Sequence, residues 1–427
     1  MPCAGTAMRY AVTTFGCRVN QADSLQMELQ LRARGAVPAP IAEADVVVVN
    51  SCSVTAAADQ GVRQALRRVA RENPDARVVA TGCYATRAGD EIAALPGAPE
   101  VVPNDDKESL VDRLLPGAAT TAERFGDGAG PCGALVSPSS IGRVAFMLRV
   151  QTGCDEACSY CIIPTTRGRG RSLEPRRVLA ALDHAASSGF HEVVLNGVHL
   201  GSWGRDLDPP SSLAALLRAV DGHPSDVTCR ISSLEPMDCP SELVDLVAAS
   251  GRFAPHLHLP LQHASDRMLR RMRRPYTLDL YRRVVDRVRE RMPHAGIGAD
   301  LIAGFPGEGD EDTRRTLDYL LSSPLTYLHV FPWSPREGTE ASGLSDRVPG
   351  PVVRDRARAL RDAGAELARR FREGQVGAVR PGLTLDGGAV VATDNYLKVG
   401  VPPAGAANRR VRVRITGADP LAGALVP

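Results

Sequence analysis

In the stretch RVAFMLRVQTGCDEACSYCIIP (143–164), a strand-like apolar run leads directly into a C-x3-C-x2-C spacing. Three thiolates this close can hold three corners of a cubane iron–sulfur cluster and leave the fourth iron open. A structural zinc site would want a fourth Cys or His nearby, and none follows. Cys154, Cys158 and Cys161 are therefore predicted cluster ligands. The alternative is a chance grouping of buried cysteines.

From this stretch an alternating pattern of strands and helices continues toward the C-terminus. Strand-like runs are expected at 143–151, 191–196, 227–232, 255–261, 295–304 and 326–332. Helical spacing lies between them at 175–188, 212–221, 240–250, 277–291 and 310–322. Six such units predict an open, partial (β/α)6 barrel over 143–370, with ligands bound at the carboxyl ends of its strands.

Three further cysteines share one context in the N-terminal region, 8–115. Cys17, Cys52 and Cys83 follow the strand-like runs ending TTFGC, VVNSC and VATGC, and helical stretches alternate with these runs. The pattern predicts a doubly wound α/β domain with a parallel sheet. Parallel strands end at the same edge, so the topology brings the three thiols together. A second cluster on three thiolates is predicted, against the alternative of separate structural cysteines.

Residues 116–142 are rich in Gly, Ala, Pro and Ser without periodicity, which indicates a linker.

A charged helix is expected at 353–374, and 371–427 carries short strand-like pieces typical of a small antiparallel barrel. Arg410, Arg412 and Arg414 alternate along one of these pieces, so they would form a row of cations suited to phosphates. Two other arginine groups lie at 165–172 and 270–276. For each of them, RNA contact and a solvated surface are equally favoured.

Composition narrows the function classes. The chain has 427 residues and near-balanced charge, with 51 basic and 49 acidic residues, so RNA binding would need local patches. No apolar run approaches the ~18 residues of a membrane span, no signal peptide is expected, and no phosphate-binding G-x-x-x-x-G-K-[ST] motif occurs. A cytoplasmic location without a membrane partner is predicted, where ten cysteines favour metal or catalytic use.

The remaining motifs have structural interpretations. ADLIAGFPGE (299–308) predicts a tight strand-to-helix turn, with a possible backbone contribution to a ligand site. His256, His258 and His263 are expected to line a cavity or the core instead of binding a metal. Cys3 and Cys132 have no informative context, whereas Cys229 and Cys239 are expected to be small buried side chains.

The CDEACSYC run resembles the signature of radical S-adenosylmethionine (SAM) enzymes. Together with the upstream cysteine domain and the C-terminal barrel, nearly the whole chain resembles a methylthiotransferase. TFGCRVNQ (14–21), VVNSCSVT (48–55), RISSLEP (230–236), HLHLPLQ (256–262), RMRRPYT (271–277) and LHVFPWSPREGT (328–339) resemble the branch acting on threonylcarbamoyladenosine in tRNA. LNGVHLG (195–201) resembles that branch's Gly-Val-His loop.

The resemblance implies two 4Fe-4S clusters and SAM. Cys154, Cys158 and Cys161 would hold the cluster that binds SAM, whose cleavage gives a 5′-deoxyadenosyl radical. Cys17, Cys52 and Cys83 would hold the second cluster, which carries the sulfur to be methylated and transferred to C2 of adenosine 37. The expected SAM-binding positions are Tyr160, Asn196, Gly197, Ser233, Glu235, Asp300, Ile302 and Gly304.

The implied partners are the anticodon stem-loop of tRNA, an electron donor of the flavodoxin or ferredoxin type, and a sulfur donor. The C-terminal barrel resembles the family's TRAM module and would hold the tRNA. Candidate substrate contacts are His199, Arg273, Arg274, Arg410, Arg412 and Arg414, with Tyr276 stacking on a base. Alternatives are methylthiolation of isopentenyladenosine tRNA or of a ribosomal-protein aspartate, and, in another class, a non-catalytic iron–sulfur RNA-binding regulator.

Overall fold

The computed structural model describes residues 7–116, 138, 144–403 and 405–427. Cys3, Cys132 and all of the predicted linker except residues 116 and 138 lie outside the described residues. Within the described ranges, no helix is long and apolar enough to cross a membrane.

The N-terminal region is a parallel sheet between two layers of helices. Its strands are β1 (Arg9–Thr14), β2 (Val37–Pro38), β3 (Val46–Ser51), β4 (Arg77–Gly82) and β5 (Glu100–Val102). Its helices are α1 (Arg18–Ala33), α2 (Ala56–Glu72), α3 (Cys83–Arg87), α4 (Gly89–Ala93) and α5 (Leu110–Leu114). The spatial order β2–β1–β3–β4–β5 confirms the doubly wound prediction, although the short edge strands β2 and β5 had no clear signal in the sequence.

Strand β3 shows why this sheet needs helices on both faces. Val47 and Val49 pack toward α2, while Val46 and Val48 pack toward α1 and α5. All six residues of β3 are buried. A strand that is buried on both sides reads as the continuous apolar run DVVVVN, as expected for the centre of a parallel sheet.

The central region contains six parallel strands and, at 151–152 and 171–172, a separate pair of short antiparallel strands. The strands of this region are β6 (Ala145–Arg149), β7 (Gln151–Thr152), β8 (Arg171–Ser172), β9 (Glu192–Asn196), β10 (Thr228–Ile231), β11 (His256–His258), β12 (Gly296–Ala303) and β13 (Tyr327–Pro332). Its helices are α6 (Ile163–Arg167), α7 (Pro175–Ser187), α8 (Leu213–Asp221), α9 (Ser241–Ala249), α10 (Asp266–Arg271), α11 (Leu278–Arg291) and α12 (Asp310–Ser322).

Two three-stranded parallel sheets, β10–β9–β6 and β11–β12–β13, together form the partial barrel. Parallel bridges Cys229–Phe253 and Ser233–His258 join them where β10 meets β11. The predicted (β/α)6 arrangement is therefore confirmed. Cys229 and Cys239 lie in the large apolar core of this region, as expected from their context.

The C-terminal region begins with a long helix and ends in a closed barrel. The helix α13 (Gly350–Glu373) runs past residue 370, where the sequence suggested a domain boundary. The strands are β14 (Val379–Leu385), β15 (Val390–Thr393), β16 (Lys398–Gly400), β17 (Arg410–Ala418) and β18 (Leu421–Val426). They close in the order β14–β15–β16–β18–β17, antiparallel except for the parallel pair β16–β18. The strand β18 was missing from the sequence-based prediction.

Gly298 on β12 provides a test of the strand packing. It lies opposite Tyr327, and a Cβ at this position would sit 2.0 Å from the tyrosine Cζ. Gly298→Ala should therefore lower the free energy of unfolding by about 1–3 kcal/mol, because the ring must move in a closely packed core. Urea unfolding followed by circular dichroism measures this loss. Gly251→Ala is the control, since its Cβ would meet no atom within 4 Å; equal midpoints for the two variants would contradict the described packing.

Candidate functional site

The three N-terminal cysteines lie at the carboxyl edge of the first sheet. Cys17 is the N-cap of α1, Cys52 directly follows β3, and Cys83 begins α3 immediately after β4. The loops approach closely: Gly16 has a left-handed φ of 94°, and a Cβ there would lie 2.5 Å from the Cys52 Sγ. Topology thus gathers three thiols that are separated in sequence.

The surroundings of these thiols differ. Burial and the neighbouring Cys17 raise the pKa of the Cys52 thiol to about 12. Burial also acts to raise the pKa of Cys83, but Arg167 and Lys107 outweigh it and bring that pKa below its ordinary value. The Asn104 Nδ2 lies 3.7 Å from the Cys83 Sγ. Cys83 is therefore the thiol of this set placed in a positive environment that favours thiolate.

A buried cluster of ions joins this site to the barrel. Asp23 on α1 accepts hydrogen bonds from Arg149 at 2.6 Å, Lys107 at 3.0 Å and Arg167 at 3.1 Å. Burial opposes ionisation of Asp23, but the three cations outweigh it and hold its pKa far below the usual range. Because Arg149 and Arg167 belong to the barrel region, this carboxylate fixes one region against the other.

The second set of cysteines follows β7 in the barrel region. Arg274 donates to the Cys158 Sγ at 3.0 Å and also pairs with Glu235. The His199 Nδ1 lies 3.8 Å from the Cys154 Sγ, and its Nε2 bonds Asp238 at 2.6 Å. Two of the three sulfurs thus have polar partners from the segments after β9 and α10, and the segment after β10 supplies the carboxylates that pair with those partners.

Cys161 borders a cavity of about 260 Å³. Val54 and Thr55, just after Cys52, form part of its wall, so both regions contribute to one cavity. Of the predicted SAM-binding positions, Tyr160, Asp300 and Ile302 line it, and the other lining groups include Gln262, Phe331, Trp333 and Arg336.

The other predicted SAM positions lie at the carboxyl ends of barrel strands. Asn196 ends β9, and its buried Oδ1 has no hydrogen-bond partner among the described residues; the same is true of the Ser232 Oγ after β10. Gly197 closely approaches Leu200 and Gln151, and Gly304 has a left-handed φ of 77°. The backbone of Ser233, two residues before Glu235, forms a parallel β-bridge with His258 on β11. Orphaned buried oxygens at a strand-end edge are the chemistry that a polar cofactor would satisfy.

Asp300 on β12 forms a hydrogen-bonded group with one histidine on β11 and one on β13. The Asp300 Oδ1 lies 2.9 Å from the His258 Nε2 and 3.1 Å from the His329 Nδ1. Burial acts to raise the Asp300 pKa, but both histidines outweigh it and keep the carboxyl ionised. These three groups lie close enough for metal ligation, yet their mutual hydrogen bonds already account for the arrangement. Tyr327 links His258 to His256, while His263 bonds Thr316.

Several predicted substrate contacts are instead interior side chains. His199 is 3% exposed, Arg274 is 7% exposed and Tyr276 is 6% exposed. The Tyr276 hydroxyl donates to the backbone oxygen of Pro260 at 2.9 Å, so its ring is unable to stack on a base from solvent. Tertiary partners bury these groups, which a local charge run suggests are exposed, and their contact with tRNA stays a prediction.

The remaining predicted contacts do lie on the surface. Arg273 pairs with the exposed Glu340, and Arg410 pairs with Asp226. Arg412 and Arg414 alternate with buried Val413 on β17, so they share its outer face. Arg167, from the 165–172 group, is buried, whereas Arg169 is exposed.

Sequence reasoning missed the polar groups that surround the cysteines. Asp23, Lys107 and Asp238 come from distant segments and had no motif of their own. Arg167 belongs to the 165–172 arginine group, but nothing in that group indicated a place beside the N-terminal cysteines. One signal was available: Lys107 is one of only two lysines in a chain whose other basic residues are arginines. The three-thiol sets and the orphaned oxygens together fit two iron–sulfur clusters and a polar cofactor such as SAM.

Comparison with known families agrees with this geometry. Residues 9–102 match the model described as Uncharacterized protein family UPF0004, and residues 148–320 match the Radical SAM superfamily. A radical SAM methyltransferase, TsrM from Kitasatospora setae, whose solved structure holds cobalamin and a 4Fe-4S cluster, aligns with a TM-score of 0.56. That alignment covers 79% of this chain and 77% of that one at 16% identity, so it supports the fold alone.

Characterised relatives extend over nearly the whole chain. The threonylcarbamoyladenosine tRNA methylthiotransferase MtaB of Thermotoga maritima is 34% identical, covering 86% of this chain and 85% of the relative. The enzyme of that name from Bacillus subtilis is 31% identical, and the match covers 91% of this chain and 89% of the relative. The tRNA-2-methylthio-N(6)-dimethylallyladenosine synthase of Acidothermus cellulolyticus is 34% identical, and the match covers 98% of this chain and 86% of the relative. The chain therefore belongs to the radical SAM methylthiotransferase family of enzymes, on its MtaB-type branch.

Proposed function

We propose that this enzyme converts N6-threonylcarbamoyladenosine at position 37 of tRNA to its 2-methylthio derivative. One observation carries the proposal: a single cavity of about 260 Å³ is walled by Cys161 and by the segment that follows Cys52. A nucleoside bound there would lie between the site of radical formation and the site of sulfur transfer. The MtaB names of the relatives favour the threonylcarbamoyl substrate over a dimethylallyl (isopentenyl) one.

The roles of the cysteines follow from this arrangement. We assign Cys154, Cys158 and Cys161 to the SAM-binding cluster, and Cys17, Cys52 and Cys83 to the sulfur-carrying cluster. SAM, when bound, supplies both a 5′-deoxyadenosyl radical and the methyl group. Asn196, Ser232 and Gly304 would hold the cofactor at the strand ends, and Arg274 and His199 would orient the thiolates.

The cavity walls suit a purine base. Phe331 and Trp333 contribute aromatic side chains to the lining, and Gln262 and Asp300 contribute hydrogen-bonding groups. Aromatic stacking is the usual means of holding a base that has left its helix. The apolar wall also limits access of water, which protects a reactive radical from side reactions.

The C-terminal barrel is proposed to hold the anticodon stem-loop. Arg412 and Arg414 lie on the outer face of β17, next to Arg410. An exposed row of guanidinium groups suits phosphate oxygens. We further propose cytoplasmic action, an electron donor of the flavodoxin or ferredoxin type, and a separate sulfur donor. The regions 8–115, 143–370 and 371–427 would act as the three functional domains.

A product assay tests the function. Anaerobically reconstituted enzyme is incubated with SAM, dithionite and tRNA carrying either threonylcarbamoyladenosine or isopentenyladenosine, and nucleosides are quantified by mass spectrometry. The proposal predicts a gain of a methylthio group on the first substrate only. Product on isopentenyladenosine alone would assign the chain the rival substrate. Absence of product on both, with SAM cleavage intact, would point to a non-RNA substrate such as a ribosomal-protein aspartate.

Cys158→Ala should abolish 5′-deoxyadenosine formation, because the open-iron cluster loses one of three thiolate ligands. Chromatography of the quenched reaction measures this. Cys239→Ala is a matched control, since Cys239 is equally a cysteine but lies in the apolar core. Continued SAM cleavage in Cys158→Ala would contradict the ligand assignment.

Cys52→Ala should separate the two half-reactions. SAM cleavage is expected to continue, since Cys154, Cys158 and Cys161 remain, while the methylthio nucleoside disappears. Both products are measured in the same reaction. Loss of 5′-deoxyadenosine together with the nucleoside, in a protein whose circular dichroism is unchanged, would refute this division of roles.

Arg412→Gln/Arg414→Gln should weaken tRNA binding and flatten its salt dependence by about one unit of slope per lost phosphate contact. Filter binding across a salt series measures both quantities. The control is Arg283→Gln/Arg315→Gln, which removes two exposed arginines from α11 and α12. Equal affinity and slope in the two double variants would exclude β17 as a tRNA contact.

A further inference from the structure

We propose that Arg167 is a positioning residue for the N-terminal cluster: it reaches from the radical SAM region to the Cys17/Cys52/Cys83 site, holds the thiolates there and raises that cluster's reduction potential. The inference rests on the proposed function, because it requires a cluster on those three cysteines. It assigns a role to a side chain that belongs by sequence to the other cysteine set.

Arg167 ends α6, six residues after Cys161. The next residue, Gly168, has a left-handed φ of 69° and turns the chain away. Arg167 is 2% exposed, although it stands in an arginine-rich segment that a charge count would place on the surface. A short helix anchored in one cysteine site therefore delivers a buried cation to the other.

Contacts fix the end of α6 beside Cys83. The Arg167 Nη2 donates to the Asn20 Oδ1 and to the Asp23 Oδ2, the latter at 3.1 Å. The Asn104 Nδ2 donates to the Thr166 backbone oxygen at 2.8 Å and lies 3.7 Å from the Cys83 Sγ. The Arg167 Nε is buried without a hydrogen-bond partner among the described residues, so one donor of this guanidinium is still available.

The charges around Asp23 do not balance on their own. Arg149, Lys107 and Arg167 are all at most 7% exposed, and together they share the single buried carboxylate of Asp23. Glu108 lies 3.5 Å from Arg149, but its side chain is 47% exposed. Buried cations in excess are unfavourable unless another anion compensates them. A cluster with thiolate ligands at the neighbouring cysteines would supply this compensating negative charge.

The same charge has a consequence for electron transfer. Reduction of a cluster by one electron adds negative charge, which a nearby buried cation and hydrogen bonds to the sulfurs stabilise. Arg167 should therefore make the N-terminal cluster easier to reduce. Lys at this position would keep the charge but lose the planar set of donors.

The experiment uses the full chain in a Cys154→Ala/Cys158→Ala/Cys161→Ala background, so that the N-terminal cluster alone is observed. Iron is quantified, and the midpoint potential is measured by redox titration with electron paramagnetic resonance detection. Adding Arg167→Met should lower the potential by at least the equivalent of a tenfold change in the reduction equilibrium, about 59 mV for one electron. Arg167→Lys should give a smaller shift.

Arg149→Met in the same background is the matched control, because it removes a buried cation from Asp23 but leaves the guanidinium beside Cys83. Folding should survive Arg167→Met, since Asp23 keeps Lys107 and Arg149. Loss of iron in Arg167→Met with retention in Arg167→Lys and Arg149→Met would also support the positioning role.

Two results would overturn the proposal, and they differ in what else they affect. Equal potentials, or equal losses of iron, in Arg167→Met and Arg149→Met would leave Arg167 as a structural contact between the regions, with the proposed function intact. Absence of iron in the parent triple variant would remove the N-terminal cluster itself, and the proposed function with it.

Discussion

The structure depends on one buried carboxylate, Asp23, at the boundary between the N-terminal sheet region and the barrel region. Cations from both regions, three in all, share this carboxylate. Removing an ion from water costs several kcal/mol unless its partners are well placed, so this group is stable only when the regions dock in one orientation. Arg149 and Arg167 supply the barrel side, and Lys107 supplies the sheet side. That orientation turns the carboxyl edges of both sheets toward a common cavity, which is bordered by Cys161 and by the segment that follows Cys52.

The two cysteine sets have different electrostatic surroundings. Burial raises the pKa of Cys161 to about 12, as it does for Cys52, whereas the pKa of Cys83 is lowered by neighbouring cations. Thiols with raised pKa values ionise when they ligate a metal, and binding then releases protons. Cys83 is thus the N-terminal thiol whose positive surroundings favour thiolate before any metal binds.

Most of the architecture could be predicted from the sequence, because buried parallel strands appear as continuous apolar runs. The run DVVVVN and the glycine-rich ends of β4 and β12 indicated buried strands, and parallel topology then brought Cys17, Cys52 and Cys83 together. Short elements such as β2, β5, β18 and α6 were missed, since two to six residues carry little periodicity. The burial of Arg274, Tyr276 and His199 was not predictable, because it depends on partners from distant segments. The ligand roles of the predicted site residues stay predictions.

The central claim is that one chain holds two independent open-iron clusters facing one cavity. Iron and sulfide analysis of the anaerobically purified protein, beside its Cys154→Ala/Cys158→Ala/Cys161→Ala variant, tests it most directly. Two independent clusters require about eight irons per chain, falling to about four in the variant. A decrease from about four irons to none would mean that Cys17, Cys52 and Cys83 hold no cluster, and would contradict the account.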